Sequence, residues 1–182
     1  MNRVPLIAAA TSSNTQTQAL LTQVQTAFGA TPNMFRAVAN SPAALQAMWS
    51  FFGALGGGVL PAALGEQIAV AVANRNSCDY CLAAHTALGR KAGLVAEALS
   101  AAQLGESADP KTAAALRFAL RLVEARGGVS AEEVQALRAA GFDDGALVEI
   151  IAHVALNTFT NYINVALDTP VDFPATPLRR AA

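Results

Sequence analysis

The chain has 182 residues, 53% of them hydrophobic and only 14% charged, with a mean hydropathy of +0.36. That apolar content excludes a disordered chain, and 12 basic residues against 13 acidic ones leave a net charge of −1, with no basic field to hold a nucleic-acid backbone. Two cysteines cannot supply the disulfide framework of a small secreted scaffold.

Aromatic residues make up only 6%, so the apolar weight falls on Ala, Leu and Val. Ala and Leu favour helix, and Ala lets helices pack closely. Residues 1–12 contain Pro5 and an apolar stretch at the lower limit for a signal peptide, and read as a loose N-terminal arm of a cytoplasmic protein. Residues 14–28 read as a helix with Ala19, Leu20, Val24, Ala27 and Phe28 on one face and Gly29 as its stop. After a short connecting segment at 32–40, Ser41-Pro42 is a cap followed by a first-turn proline. The helix it opens carries Leu45, Met48, Trp49, Phe52 and Leu55 and stops at Gly56-Gly57-Gly58.

Pro61 opens the next helix, with Leu64, Glu66 and the run from Ile68 to Ala73. Asn76-Ser77 breaks it, and Ser77 is the expected cap of a helix from Cys78 to Lys91 that ends at Gly93. Helices follow over 94–104 and from Asp109-Pro110 to the region of Arg126. Ser130-x-x-Glu133 is a capping box for a short helix closing at Gly141. Asp143 or Asp144 starts the last helix, which runs to Leu167. Its apolar stretch, 146–167, has the length of a membrane span, but Glu149, His153, Asn157, Asn161 and Asn164 interrupt it. The tail contains Pro170, Pro174 and Pro177 and should be extended. The expectation is one all-α domain of seven to nine helices over 1–182, with its core at 41–168 and a tail at 169–182.

The chemistry concentrates in Asn76-Ser-Cys-Asp-Tyr-Cys-Leu-Ala-Ala-His85. At about 100° per residue, Cys78, Cys81 and His85 fall on one helical face, within roughly 60° of one another. Near a helix N-terminus, unpaired backbone N–H groups and the helix dipole favour thiolate over thiol. Two sulfurs three residues apart can close a disulfide across one turn. The set therefore supplies a nucleophile, a resolving partner and an imidazole to move protons.

Other readings of these residues stay open. The cysteines could be small buried hydrophobes, or zinc ligands together with His85 and His153. Haem attachment fails because Leu82, not His, follows Cys81. Glu66 is the only acidic residue before Ser77 and lies on a highly apolar helix; if buried it needs a partner. Two successive helices joined by a tight turn could bring it to His85 or Cys78. Glu149 and His153 stand at i, i+4 and could pair. Asn157, Asn161 and Asn164, with Thr158 and Tyr162, form a polar stripe suited to a helix–helix or subunit hydrogen-bond network. Trp49, Phe51 and Phe52 suit either the core or the wall of a pocket.

The pattern Glu66-x11-Cys78-x2-Cys81-x3-His85 resembles the AhpD-like alkylhydroperoxidases of the carboxymuconolactone decarboxylase superfamily. The resemblance is firm over 61–104. It extends loosely to the rest, where Asn157-Thr-Phe-Thr-Asn-Tyr-Ile-Asn164 and the 168–174 segment look like the peroxidase-related branch. It implies a peroxide reductase in which Cys81 attacks and becomes a sulfenic acid, Cys78 resolves it, and Glu66 and His85 relay protons. It further implies a hydroperoxide substrate and a lipoyl- or thioredoxin-like dithiol reductant. The cysteine pair itself is the redox centre, without haem, flavin or metal, and the assembly is a homotrimer or hexamer. Some relatives carry a His between the cysteines; Asp79 and Tyr80 stand there instead, so part of the relay is altered. Asp79 adds negative charge beside the thiols. Decarboxylase members lack the cysteine pair.

Overall fold

Short polar residues in front of apolar runs set most of the helix starts. The computed structural model describes residues 2–179, and their regular structure is a 3-10 turn at Ala9–Thr11 and nine α-helices. In chain order these are α1 (Thr15–Phe28), α2 (Asn33–Val38), α3 (Pro42–Gly56), α4 (Ala62–Arg75), α5 (Asp79–Lys91), α6 (Ala96–Ala102), α7 (Pro110–Glu124), α8 (Ala131–Ala139) and α9 (Asp144–Leu167). Side chains of Asn14, Ser41, Asp109 and Asp143 accept first-turn N–H groups of α1, α3, α7 and α9, and Ser130 and Glu133 close the capping box of α8. Gly29 ends α1 in the left-handed conformation.

The axis of the bundle is α4, which is buried continuously from Gln67 to Ala73. A helix apolar on all sides is stable only when covered on all sides, and α5, α6, α7 and α9 surround it. On α1 the buried face is Thr17, Leu20, Leu21 and Val24, with Ala19 and Ala27 exposed. The helix is thus turned from the expected face, and burying Leu21 removes far more apolar area than burying an alanine.

α2 occupies part of the segment expected to be a plain connection. Six residues cannot hold a helix by themselves; distant side chains hold this one. The Asn33 N–H donates to Asp172 Oδ2 at 2.8 Å, and the Met34 N–H donates to the Tyr80 hydroxyl at 3.1 Å. The N-terminal arm is likewise tied down rather than loose. Arg3 N–H donates to Leu167 O, Ile7 N–H to Arg36 O, and the Asn40 side chain to Pro5 O. The tail has no regular structure through 169–179, as its prolines suggest, and is pinned by two bonds of 2.8 Å between Asn74 and the Arg179 backbone. Residues 1 and 180–182 of the arm and tail lie outside the described residues. No helix among the described residues is long and apolar enough to cross a membrane.

Between α4 and α5 the chain turns through Asn76 and Ser77. Ser77 N–H donates to Asn74 O at 3.2 Å, and Cys78 N–H donates to Ala73 O at 3.0 Å, with Ser77 at φ 54°. This is a Schellman motif closing α4. It corrects the expected cap: Ser77, held left-handed by α4, cannot adopt the extended backbone of an N-cap. The role passes to Cys78, whose sulfur accepts the Cys81 N–H at 3.2 Å. α6 is also shorter than expected, and its cap residue, Val95, makes no side-chain bond.

The start of α4 is fixed from α9. Glu149 accepts the N–H groups of Val59 and Leu60 at 2.8–3.1 Å rather than pairing with His153, the partner its i, i+4 spacing allowed. Two converging backbone donors hold the carboxylate, and Gly58 makes room for it, since a Cβ there would lie 2.5 Å from Glu149 Oε2. Glu149→Ala should lower stability by about 1–2 kcal/mol, or about 2–8 °C in Tm for a chain of this size. Gly58→Ala should act through the same contact. In circular dichroism melts the double variant should then lose little more than either single variant; fully additive losses would contradict this role for Glu149.

Candidate active site

The first turn of α5 carries both cysteines, Cys78 as cap and Cys81 three residues on, and they form a disulfide. Their exposures are 1% and 2%, so the bond lies inside the bundle. Each sulfur has a different hydrogen-bond donor. Cys78 Sγ accepts the Cys81 N–H, while Cys81 Sγ accepts from Nδ2 of Asn164, on α9, at 3.3 Å.

One turn further along α5 stands His85, whose Nδ1 lies 2.8 Å from Oε2 of Glu66 on α4. The two side chains retain 13% and 23% exposure. The tight α4–α5 turn makes the helices neighbours, and Gly89 makes room on α5 for α6, since a Cβ there would lie 2.6 Å from Leu99 Cδ2. Of the two partners open to Glu66 from the sequence, the structure thus selects His85.

Two cavities meet at His85. A small one, about 40 Å³, is bounded by Cys81, His85, Thr160 and Asn164 and by the rings of Phe28, Phe35, Phe52 and Phe173. A larger one, about 330 Å³, reaches Glu66, His85 and His153 between Trp49, Phe28, Phe52 and Leu156. Trp49 and Phe52 therefore wall a cavity; Phe51 lines neither. The aromatic wall is a continuous cluster, with Phe35 5.6 Å from Phe28, 5.8 Å from Trp49 and 5.9 Å from Phe52 between ring centroids.

Between the cysteines, Asp79 is exposed in the first turn of α5, where its charge faces water and favours the positive end of the helix. Tyr80 is buried, and its ring meets Phe173 edge-on at 5.7 Å. Burial pushes its phenol well above the ordinary range, so the hydroxyl stays protonated while it holds α2.

The polar stripe of α9 divides its duties. Asn161 accepts from Asn76 at 3.0 Å, a helix-to-turn bond, and Asn157 turns back to the His153 carbonyl. Tyr162 is exposed. Asn164 goes to the disulfide, a placement that the sequence left inside the network reading; its only signal was a carboxamide recurring in an apolar helix. His153 stands against Gly65, with its Nε2 buried and without a hydrogen-bond partner. Among the described residues, no group of three or more His, Cys, Asp and Glu side chains is arranged to hold a metal ion, so the cysteines, His85 and His153 do not form the four-ligand set.

Residues 42–125, which include all four residues of the Glu-Cys-Cys-His pattern, match the carboxymuconolactone decarboxylase family. The whole fold is that of the AhpD core. A peroxidase-related protein from Ralstonia eutropha JMP134, described as an alkylhydroperoxidase AhpD core, superposes with a TM-score of 0.82 at 28% identity, covering 94% of this chain and 92% of that one. A peroxidase-related protein from Silicibacter sp. TM1040 gives 0.81 at 24% identity, with 93% and 91% coverage. A Cys-to-Ala variant of the debrominase Bmp8, in complex with 2,3,4-tribromopyrrole, gives 0.78 at 20% identity, with 94% of both chains covered. No curated protein matches the chain.

Burial holds His153 below the ordinary histidine range, against the carboxylates of Glu149 and Glu66, which favour its charged form, and with His85 adding to the depression. The unfolded chain then binds this proton more readily than the folded protein. Its contribution penalises the folded state as pH falls through about 6.5. Tm should therefore decline between about pH 7 and pH 5, and His153→Leu should flatten that decline. An unchanged slope in the variant would place the titration elsewhere.

Proposed function

We propose that this protein is a thiol-dependent hydroperoxide reductase. The observation that carries the reading is the Cys78–Cys81 disulfide at the start of α5, with Cys81 at a small pocket that is also lined by His85, the partner of Glu66. In the reduced protein Cys81 gives up its proton and its thiolate attacks the outer oxygen of a hydroperoxide. The O–O bond breaks, Cys81 becomes a sulfenic acid, and the leaving alkoxide takes a proton to become an alcohol. His85 moves that proton, and Glu66 at Nδ1 fixes the ring. Cys78 then attacks the sulfenic sulfur, water leaves, and the disulfide closes. An external dithiol of the lipoyl or thioredoxin kind restores both thiols as it is itself oxidised to a disulfide.

The family match supports enzymatic activity, and the peroxidase-related neighbours support this chemistry. A homotrimeric or hexameric assembly is part of the proposal. It is supported by the uncovered apolar face of α9, where Val148 is 61% and Tyr162 65% exposed beside Ile151 and Val165.

The larger, aromatic-walled cavity favours one second reading, reductive dehalogenation of an aromatic substrate. There the same two thiols become the disulfide while a carbon–bromine bond becomes carbon–hydrogen and bromide and a proton leave. The two readings separate cleanly in assays of the reduced protein with hydroperoxides and with 2,3,4-tribromopyrrole.

Peroxide consumption with a panel of dithiol donors should be abolished by Cys81→Ser. Cys78→Ser should stop the reaction at a sulfenic acid detectable by dimedone labelling. Glu66→Gln and His85→Asn should each lower turnover by about 10²–10⁴. Failure to consume any hydroperoxide with any donor overturns the reading, and bromide release under the same conditions would establish the second.

A further inference from the structure

Asn164 is 3% exposed, and its carboxamide is divided in a way that packing does not require. One end, Nδ2, donates to Cys81 Sγ; the other, Oδ1, is buried and has no hydrogen-bond partner. Such an orphaned oxygen is destabilising, and an apolar side chain of similar shape would avoid the penalty. Rotating the amide would not help, because a disulfide sulfur has no hydrogen to donate to Oδ1. The donor is thus oriented toward sulfur at the expense of the acceptor.

The other sulfur receives its donor from the backbone. Cys78 Sγ takes the Cys81 N–H, a bond that belongs to the helix cap. Only Cys81 is served by a side chain from another element. An N–H directed at sulfur gains most when the sulfur carries a full negative charge, since a charge-assisted bond is roughly twice as strong as a neutral one. Within a pocket walled by Phe28, Phe35, Phe52 and Phe173, where water offers little competing solvation, that gain is greater still.

We infer that Asn164 is a further catalytic residue of the site, the side-chain donor that holds Cys81 as a thiolate. This rests on the reading of Cys81 as the attacking sulfur, and it deepens that reading by explaining which of two equally buried cysteines ionises. The helix N-terminus favours ionisation of both; the carboxamide on α9 selects one. No oxidation is involved in this step: Cys81 loses a proton, the charge remains on sulfur, and Asn164 stabilises it without exchanging a proton.

The test uses reduced protein carrying Cys78→Ser, so that Cys81 alone titrates, and follows its alkylation by iodoacetamide as a function of pH. Asn164→Leu should move the midpoint up by about one to two pH units. Asn164→Asp, of the same shape but with a carboxylate facing the sulfur, should move it up further by charge repulsion. Asn164→Ala, which removes the donor without adding charge, should move it up as Asn164→Leu does and decides the question if the leucine variant fails to fold. Asn161→Leu, which removes the neighbouring carboxamide bonded to Asn76, should leave the midpoint in place. In the two-cysteine protein, the Asn164→Asp loss of peroxide kcat/KM at neutral pH should recover as pH rises past the shifted midpoint. A midpoint that stays put, or falls, in a folded Asn164 variant overturns the inference. Alkylation does not depend on peroxide, so a shifted midpoint without peroxide turnover would retain Asn164 and reject the peroxidase reading.

Discussion

Everything at the candidate site hangs on the turn between α4 and α5. Because the Cys78 N–H closes α4 onto Ala73 O, and the Cys78 sulfur at once caps α5, only Asn76 and Ser77 separate the end of one helix from the cap of the next. Their relative register is then fixed. Glu66 lies roughly two and a half turns before the end of α4, and His85 two turns into α5, so antiparallel neighbours bring the two side chains level. The bond of 2.8 Å between them thus follows from the turn. The cost of the left-handed Ser77 is carried where it sets the geometry of the disulfide.

The second constraint is the apolar character of the bundle. A chain with 14% charged residues has few groups with which to satisfy buried polar atoms, and it uses carboxamides and single carboxylates at the critical points. Glu149 gathers two N–H groups ahead of α4, Asn161 takes the Asn76 amide beside the turn, Asn74 holds the tail, and Asn164 meets the disulfide. Each ties a different segment to the α4–α5 pair. Several of these atoms remain half-satisfied, including Asn161 Nδ2 and Asn164 Oδ1. In a low-dielectric interior such groups are costly wherever they serve only packing. Three such atoms lie on α9, at His153, Asn161 and Asn164, and of these Asn164 is the one that faces the disulfide.

Local signals made much of this legible in the sequence. The caps at Ser41, Asp109, Ser130 and Asp143 are residues whose side chains bond within three positions, and all of them form. The all-α class and the one-face grouping of Cys78, Cys81 and His85 rest on the same short-range periodicity. What escaped depends on partners far along the chain. α2 is held by Tyr80 and Asp172, Glu149 is drawn from His153 by a loop about ninety residues earlier, and Asn164 meets a cysteine 83 positions away. Ser77 was misplaced for a subtler reason. Its composition suits a cap, but two helices compete for the same residues, and the one that ends there sets the backbone first.

Burial of both sulfurs shapes how any reactant can reach them. The surface at the start of α5 is closed by the tail, with Phe173 against Tyr80 and Asp172 bonded to α2, so that Tyr80 joins the tail, α2 and the redox helix. The small pocket beside Cys81 has room for about one water-sized group, while the larger cavity across His85 can take an organic body. On the proposed chemistry the reacting end of the substrate and its apolar remainder would occupy different chambers, with His85 between them. An external dithiol, by contrast, must present a thiolate to sulfur along the line of the S–S bond, which demands more space than the small pocket provides. Under the proposed chemistry, peroxide entry and disulfide reduction would place different steric demands on one site, and the tail carrying Asp172 and Phe173 is the element whose displacement would relieve the second without dismantling the Glu66–His85 pair.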